Sequence, residues 1–311
     1  MFEQVVIITR KTQLEELIER FNTRSQAAFY IRQQGESFDE YEAAHAQYTG
    51  AVEALKRMVP RAVKQHLIER SFLPSYSFSE KDLVLTVGPD GLVVNAAKYL
   101  TTQPILAINP DPRRVDGILI PFTLEEAGEW LGRALAQRVA IKRVSMAQTT
   151  LNDGQVIYAF NDLFIGARTH ISARYRLEIG GKGENQSSSG VIVSTGAGST
   201  GWLQSIVTGA CRVAAGMNLP DFTPPAPESY RLPWEAEDLY YAVREPFTSR
   251  TSQAGLVFGK LRKGEALVLR SYMPENGVIF SDGIERDYLN FNAGTVATIS
   301  LAERKAHLIV K

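Results

Sequence analysis

The chain has 311 residues, of which 44% are hydrophobic and 22% are charged, values of an ordinary globular protein that exclude a disordered or fibrous chain. Its 34 basic residues balance its 34 acidic ones, so no net charge attracts nucleic acid or an anionic membrane. Because the chain is about twice the usual domain length, we expect two domains.

The sequence carries no sign of an oxidising compartment or of a membrane anchor. The single cysteine, Cys211, can form neither an internal disulfide nor a thiolate zinc cluster. The first ten residues lack a signal-peptide core and an Arg- and Ser-rich leader, and no apolar run is long enough for a transmembrane helix. We therefore expect a soluble, cytoplasmic protein with no membrane and no nucleic-acid partner.

The first half of the chain alternates strand and helix patterns. Continuous β-branched runs predict buried parallel strands, and apolar residues at i, i+3, i+4 and i+7 predict helices. The predicted strands are residues 4–9, 65–69, 83–87 and 104–108, and the predicted helices are residues 10–31, 39–58, 91–100 and 123–137. This alternation predicts an α/β domain with a Rossmann-like parallel sheet over residues 1–138.

Short strand patterns dominate the rest of the chain. They cover residues 139–148, 156–165, 172–179, 190–195, 239–243, 266–271, 278–281, 296–301 and 307–310, with one helix at 200–215. We expect a β-rich second domain, a β-sandwich, over residues 139–311, whose final residues are able to pack back on the first domain. Five prolines between residues 217 and 233 predict an ordered surface loop that acts as a lid or a subunit contact.

The segment Gly88-Pro89-Asp90-Gly91 joins a buried strand to a helix. Open α/β sheets bind ligands at the carboxyl ends of their strands, where the N-terminus of the next helix offers N–H groups to a phosphate. A carboxylate at this corner suits a general base toward a sugar hydroxyl, or part of a metal site. The same residues also suit a plain turn with a helix cap.

A second strand, glycine loop and helix follow in GVIVSTGAGSTGW at residues 190–202. Gly196, Gly198 and Gly201 match the dinucleotide fingerprint G-x-G-x-x-G. The parallel strand and acid that should follow are replaced by the proline-rich loop, so a Rossmann dehydrogenase is not favoured. We interpret the segment as a loop whose backbone and hydroxyls approach a ligand, with close packing of helix on strand as the alternative.

Asn161 and Asp162 interrupt an apolar run in YAFNDLFIG. Burying an amide and a carboxylate in a strand is unfavourable unless both are hydrogen-bonded. A sugar diol bound as ligand would supply such partners. An Asx turn in a hairpin is the alternative.

These three motifs, in this order and spacing, resemble the NAD kinase family, part of the wider group of diacylglycerol and sphingosine kinases. The similarity is closest to the mitochondrial type and its bacterial relatives, and it includes INPDPRRVDGIL (108–119), VREPF (243–247) and VIFSDGIERDYLNFNAGTVATISL (278–301). The resemblance implies that ATP and a divalent ion such as Mg²⁺ are used to phosphorylate the 2′-hydroxyl of the adenosine ribose of NAD, giving NADP. It also implies at least a homodimer, formed across the β-rich domain.

The same resemblance implies roles for individual residues. Asp90 corresponds to the catalytic acid that accepts the proton of the 2′-hydroxyl. The positions that would bind NAD are Gly91, Asn109, Asn161, Asp162, Thr195, Gly198, Ser199, Thr200 and Trp202. Gly88, Arg113 and Arg114 are candidates for phosphate binding, and a solvated basic face is the alternative for the two arginines. No metal site is expected from the protein alone.

The chain also departs from the family pattern. The family has Gly-Gly-Asp-Gly-Thr where this chain has Gly88-Pro89-Asp90-Gly91-Leu92. Pro89 removes an N–H that could face a phosphate, and Leu92 removes a hydroxyl at the start of the helix. The alternative hypothesis is therefore a nucleotide-binding homologue with weak or lost kinase activity. A third hypothesis keeps catalysis and changes the acceptor to a lipid or a sugar. The lack of a basic amphipathic or long apolar stretch suited to a membrane surface argues against a lipid.

Overall fold

The structure is a computed structural model that describes residues 2–217 and 222–311. The chain divides into two compact units, which we call unit 1 (Met1–Lys142 and His307–Lys311) and unit 2 (Arg143–Ala306). None of the helices in the described part of the chain has the length and hydrophobicity needed to cross a bilayer.

Unit 1 is built on a parallel sheet, as predicted. Its strands β1 to β5 are Gln4–Thr9, Lys64–Glu69, Asp82–Val87, Pro104–Asn109 and Phe122–Thr123. They lie in the order β2-β1-β3-β4-β5, and every neighbouring pair is parallel. Strands β3 and β4 are buried at every position, which explains their continuous apolar sequences.

Five helices complete unit 1. Helices α1 to α5 are Gln13–Phe21, Arg24–Gln33, Phe38–Met58, Asp90–Ala97 and Leu124–Leu135. The prediction of one helix over residues 10–31 was wrong. The chain breaks at Asn22, which has a left-handed φ of 63°, and Thr23 then caps α2 by accepting the Gln26 N–H. The apolar periodicity spans the break because both helices bury one face in the same small cluster.

Unit 2 is β-rich, again as predicted. It contains the strands β6 to β17, of which only the start of β6 and the end of β17 belong to unit 1. They are Ala140–Leu151, Val156–Ala159, Asp162–Ala167, Ala173–Ile179, Lys182–Ser188, Val191–Ser194, Asp238–Val243, Phe258–Arg262, Ala266–Ser271, Gly277–Ser281, Ile284–Asn290 and Val296–Val310. Six of them form the antiparallel sheet β13-β12-β11-β8-β15-β16, which we call the inner sheet. A large apolar core lies between the inner sheet and strands β9, β14 and β17.

Three strand predictions in unit 2 need correction. Residues 156–165 are not one strand, because β7 ends at Ala159 and β8 begins at Asp162 in a different sheet. Residues 296–301 and 307–310 are joined in the single strand β17. Its residues His307 and Leu308, which belong to unit 1, pair with β4 of the same unit. Strands β10, β13 and β16 were not predicted, since they have no clear alternation of buried apolar residues. The buried residues of β10 are polar, β13 buries only Leu261, and β16 has no fully buried residue.

Helix α6, Trp202–Gly216, lies on the inner sheet over a smaller aromatic and aliphatic cluster. The proline-rich segment 217–233 follows it, and its residues 218–221 lie outside the described part of the chain. Near the far end of this segment Tyr230 is buried, and the Leu232 N–H donates to Ser199 Oγ at 3.2 Å. The described end of the segment is therefore ordered against the glycine loop, while its role as a lid or subunit contact stays a prediction.

Candidate functional site

Asp90 is the first residue of α4, directly after buried strand β3. Both of its carboxylate oxygens are fixed by backbone donors. The Ile118 N–H donates to Oδ2 and the Leu119 N–H donates to Oδ1, each at 3.0 Å. A carboxylate oxygen can accept more than one hydrogen bond, so these two donors orient Asp90 and still leave it able to accept a proton from a hydroxyl.

The segment that holds Asp90 is itself fastened by Asn109. The Asn109 Nδ2 donates to the Val115 carbonyl at 2.8 Å, and its Oδ1 accepts the Asp111 N–H at 3.0 Å. Gly117 lies against the carboxylate so closely that a Cβ there would be 2.5 Å from Asp90 Oδ1. Asn109 is buried, and in this structure it organises the loop that orients Asp90.

The residues that flank Asp90 explain the local departures from the family pattern. The Gly88 N–H donates to the Ile108 carbonyl at 3.2 Å, so this donor belongs to the sheet. Pro89 precedes the helix without an N–H of its own. The Leu92 side chain is buried and would lie 3.1 Å from a Cβ at Gly88. Leu92 therefore serves the core at a position where the family has a hydroxyl.

The two candidate phosphate-binding arginines lie on the exposed surface of the same loop. Arg113 and Arg114 are both exposed. Arg114 approaches the Asp111 carboxylate at 3.8 Å, an exposed pair of the kind that contributes little to stability. The exposure of both side chains is compatible with phosphate binding and equally with a solvated face.

In unit 2, Asn161 and Asp162 form a corner where the chain leaves β7 and enters β8. The carboxylate of Asp282 holds this corner. It accepts the N–H groups of three consecutive residues: Phe160 at 3.0 Å, Asn161 at 2.7 Å and Asp162 at 3.2 Å. The Asp282 N–H returns a hydrogen bond to the Asp162 carbonyl at 2.9 Å.

The Asp162 side chain is buried, and its Oδ1 has no hydrogen-bond partner in the described structure. Burial raises the pKa of Asp162 to about 7, the Ser194 hydroxyl opposes this rise, and the negative charge of Asp282 adds to it. An unsatisfied buried oxygen is rare in a folded protein and is typical of a group that meets a ligand or a water molecule. Asp162 is thus the residue of unit 2 whose environment most suggests a binding role.

The segment between β11 and α6, residues 195–201, which we call the glycine loop, contacts the same corner. The Thr195 hydroxyl donates to the Phe160 carbonyl at 2.6 Å and accepts the Gly198 N–H at 3.2 Å. A Cβ on Gly198 would lie 2.3 Å from the Asn161 carbonyl and 2.7 Å from Asp162 Oδ1. Thr195 and Gly198 therefore bring loop and corner together.

Other residues of the loop shape its second half. The Ser199 hydroxyl donates to the Gly196 carbonyl at 2.7 Å, whereas Thr200 is exposed. A Cβ on Gly196 would lie 2.0 Å from the Pro233 carbonyl, so this glycine permits close approach of backbone to backbone. Strand β11 pairs antiparallel to both neighbours, which excludes the parallel strand arrangement of a Rossmann fingerprint here.

Further along the same face of the inner sheet, Trp202 stacks on Phe164 with ring centroids 5.9 Å apart. The guanidinium of Arg244 lies over the Trp202 ring at 5.5 Å, and that of Arg168 lies over Tyr288 at 4.0 Å. These five residues line a cavity of about 340 Å³. Because side chains alternate between faces of a strand, Asp162 and Phe164 project on the same side of β8. Aromatic rings and guanidinium groups at this cavity suit a planar, anionic ligand.

The described residues contain no group of three or more His, Cys, Asp and Glu side chains that could hold a metal ion. Mg²⁺ in kinases is bound by one or two carboxylates together with substrate phosphates and water. Asp90 is a single oriented carboxylate of this kind. The described residues therefore form no metal site of their own, and a magnesium ion would have to be bound mainly by nucleotide phosphates and water.

Asp282 was not predicted as a site residue, although it lies in the segment 278–301 that contributes to the family resemblance. The sequence did indicate a turn at this point, because Asp-Gly between two strand patterns is typical of a two-residue hairpin turn. Ser281 pairs with Ile284 across Asp282 and Gly283, which both have positive φ. What the pattern could not reveal is that this turn reaches the Asn161 corner.

Comparisons with known proteins agree with this architecture. No family model matches the chain. A probable NADH kinase of rice (Oryza sativa subsp. japonica) is 27% identical over 226 residues, which are 65% of this chain and 63% of the rice protein. The match thus spans less than two thirds of that relative.

Two solved structures share the fold. Yeast NADH kinase, in complex with NADH, has a TM-score of 0.59 at 14% identity over 100% of this chain and 84% of the yeast chain. An NAD kinase from Archaeoglobus fulgidus, in complex with ATP, has a TM-score of 0.56 at 17% identity over 99% and 93% of the two chains. The chain has the NAD(H) kinase fold, and its resemblance to that family is confirmed.

The site residues implied by the NAD kinase resemblance fall in two places. Unit 1 contains the oriented carboxylate of Asp90 and the loop that Asn109 fastens. Unit 2 contains the corner at Asn161 and Asp162, the glycine loop over it, and the cavity beside Trp202. The family roles of these residues are taken up below as proposals.

Proposed function

We propose that the chain is an NAD(H) kinase, which transfers the γ-phosphoryl group of ATP to the 2′-hydroxyl of the adenosine ribose of NAD or NADH. The observation that carries the proposal is the fixed orientation of Asp90, whose two oxygens accept the Ile118 and Leu119 N–H groups. A proton acceptor must be held in one geometry to act in a transition state. The rice relative and the yeast and archaeal folds support the choice of substrate class.

In this proposal, Asp90 accepts the proton of the attacking 2′-hydroxyl as the O–P bond forms. The O–P bond between the γ-phosphorus and the β,γ-bridging oxygen breaks, and ADP leaves with the electron pair. The remaining catalysis is positioning and charge neutralisation, which Mg²⁺ would supply when bound with ATP. Gly91, exposed beside Asp90, and Arg113 and Arg114 are the proposed surroundings of the transferred phosphate.

We further propose that unit 2 holds the dinucleotide along the face of the inner sheet. Asn161 and Asp162 would contact the sugar and amide groups, under the loop of Thr195, Gly198, Ser199 and Thr200. The cavity beside Trp202 would take an aromatic ring, with its phosphates near Arg168 and Arg244. A cavity of about 340 Å³ is within the usual range of ligand sites, about 300–1,000 Å³.

Radiolabel transfer tests the proposal. Purified protein is incubated with γ-labelled ATP, Mg²⁺ and either NAD or NADH, and the dinucleotide product is separated and treated with an NADP-specific dehydrogenase. We expect label in a product that this dehydrogenase accepts, and the ratio of rates for NAD and NADH gives the preferred form. Label that stays in ATP and inorganic phosphate with both acceptors would refute the kinase assignment.

A second candidate function is a nucleotide-binding protein without kinase activity. One observation favours it: Gly88 uses its N–H in the sheet and Pro89 has none, so the two residues before Asp90 offer no backbone donor to a triphosphate. Calorimetry separates the two candidates. Binding of NAD or NADH without binding of ATP-Mg²⁺ would favour the second candidate, and binding of both supports the kinase.

We also propose that the protein is cytoplasmic and at least a homodimer. Cys211 is a free thiol, which supports a reducing compartment. The dimer rests on the family resemblance. Light scattering coupled to size exclusion would give a mass of twice 34.5 kDa or more for a dimer or higher oligomer, whereas a single-chain mass would contradict it.

A further inference from the structure

The turn between β15 and β16 performs a task that its own folding does not require. Asp282 and Gly283 both have positive φ, 56° and 72°, as the central residues of a type I′ hairpin turn do. Such a turn needs only residues that tolerate this backbone, and Asn or Gly would serve at least as well as Asp. The carboxylate of Asp282 is therefore surplus to the hairpin.

The carboxylate instead forms hydrogen bonds with the backbone of a distant part of the chain. It accepts the N–H groups of Phe160, Asn161 and Asp162, residues about 120 positions earlier, at 3.0, 2.7 and 3.2 Å. Hydrogen bonds to a charged acceptor are about twice as strong as neutral ones. Three consecutive donors on one carboxylate fix the backbone of the corner and hence the directions of the Asn161 and Asp162 side chains.

The corner in turn sets the glycine loop. The Asn161 carbonyl accepts the Thr195 N–H at 2.9 Å, and the Phe160 carbonyl accepts the Thr195 hydroxyl at 2.6 Å. Asp282 thus holds the corner directly and the glycine loop through the corner. The proposed function assigns both of these structures to dinucleotide binding.

Asp282 also acts on Asp162 through its charge. The negative charge of Asp282 contributes to the raised pKa of Asp162, after burial, and Ser194 of β11 is the neighbour that opposes it. Residues 195–201 of the glycine loop include no charged side chain. Removing the charge at position 282 should therefore lower the pH at which Asp162 ionises.

We propose that Asp282 is a positioning residue for nucleotide binding, which holds Asn161 and Asp162 in the geometry that contacts the dinucleotide. This inference rests on the proposed function. It assigns no contact between Asp282 and the substrate. A substitution of Asp282 is therefore expected to weaken dinucleotide binding rather than to slow the chemical step.

The hairpin turn provides matched variants. Asp282→Asn keeps a residue that favours positive φ and removes the charge, and Asp282→Gly keeps the turn and removes the side chain. Asp153→Asn is the control, because Asp153 also accepts a backbone N–H in a hairpin, that of Gln155 at 3.0 Å, but is exposed on another part of unit 2. Wild type and variants are compared by calorimetry with NAD and NADH, steady-state kinetics, and amide hydrogen exchange at residues 160–162.

We expect Asp282→Asn to weaken dinucleotide binding about tenfold and Asp282→Gly to weaken it further. Both should raise KM with kcat changed less than threefold, and both should speed amide exchange at residues 160–162, while Asp153→Asn matches the wild type. Wild-type binding and exchange in both Asp282 variants would overturn this inference alone. Failure of the wild-type protein to bind NAD or NADH would overturn the proposed function, and the inference with it.

Discussion

At the scale of single residues, the candidate site depends on glycines that admit no side chain. Gly117 is the clearest case, because a Cβ there would lie 2.4 Å from Ile120 Cγ1 and 2.5 Å from Asp90 Oδ1. Neither neighbour can retreat easily, since Ile120 is buried and Asp90 is held by the Ile118 and Leu119 N–H groups. The orientation of Asp90 is thus coupled to the shape of the loop that follows Asn109.

Gly117→Ala should therefore disturb Asp90 directly. We expect a loss of about 1–3 kcal/mol in the free energy of unfolding from overpacking, and a fall in kcat of about tenfold or more from misplacement of the carboxylate. Gly50→Ala is the matched control, because nothing lies within 4 Å of a Cβ at this position in α3. The control should gain about 0.5–1 kcal/mol from helix propensity and keep full activity. Urea unfolding measures the stability of both variants, and steady-state kinetics measures their kcat. Equal kcat values in the two variants would contradict the coupling.

The buried carboxylate of Asp162 makes a prediction about pH. Its pKa is raised from 3.8 to about 7 in the folded chain, so the folded chain binds this proton more tightly than the unfolded chain. The contribution of Asp162 to the free energy of unfolding must then fall as the pH rises from about 4 to about 7. At about 1.4 kcal/mol for each pKa unit, the ionised carboxylate costs on the order of 4 kcal/mol above that range.

Asp162→Asn removes this titration. We expect the variant to be about 1–3 kcal/mol more stable than the wild type at pH 8, and to lose part of the decline in stability between pH 5 and pH 7. Urea unfolding at a series of pH values measures both. A variant whose stability follows the wild-type pH curve would show that Asp162 is ionised throughout this range.

At the scale of secondary-structure elements, the sequence predicted the parallel sheet of unit 1 well because its strands β1, β3 and β4 are buried on both faces. Strands β3 and β4 show continuous apolar runs, which leave little doubt about their type. The strand β10, Lys182–Ser188, was missed because only alternate residues are buried and these include Glu184 and Gln186. Hydrogen bonding to Gly255 and Leu256 compensates Glu184, and such a distant partner is invisible in the local pattern.

The candidate site shows the same division between local and distant information. Asp90 was a candidate because it follows a buried strand in a turn, and Asn161 and Asp162 were candidates because they interrupt an apolar run. The role of Asp282 was not, since its partners lie about 120 residues away and only the fold brings them together. Sequence reasoning could single out candidate residues from local patterns, whereas the hydrogen bonds that connect them depend on tertiary contacts.

The loop at Gly198 gives a test at this scale. A Cβ there would lie 2.3 Å from the Asn161 carbonyl, so Gly198→Ala should push the glycine loop off the corner, cost about 1–3 kcal/mol and weaken dinucleotide binding. Gly209→Ala, in the middle of α6 with nothing within 4 Å, should be neutral for binding and slightly stabilising. Calorimetry measures the dinucleotide affinity of the two variants, and urea unfolding measures their stability. Equal affinities and equal stabilities would contradict close contact at Gly198.

At the scale of the whole molecule, ligand binding should appear as thermal stabilisation. A ligand at one hundred times its dissociation constant stabilises the folded state by about 2.7 kcal/mol. For a chain of 311 residues, that should raise Tm by about 4 °C. We expect NAD or NADH to produce this shift in both wild type and Asp90→Asn, because Asp90 is proposed to act on the proton of the hydroxyl and not to hold the dinucleotide. A Tm unchanged at saturating dinucleotide would argue against the proposed substrate class.

The most direct test of the central claim compares Asp90→Asn with Asp116→Asn in the phosphoryl-transfer assay. Asp116 is an exposed carboxylate of the same loop, so it controls for the loss of charge in that region. We predict that Asp90→Asn lowers kcat for NADP or NADPH formation by at least about 10²-fold, the usual range for a lost general base being about 10²–10⁴, while Asp116→Asn leaves it unchanged. Equal rates of product formation in wild type and Asp90→Asn would contradict the account.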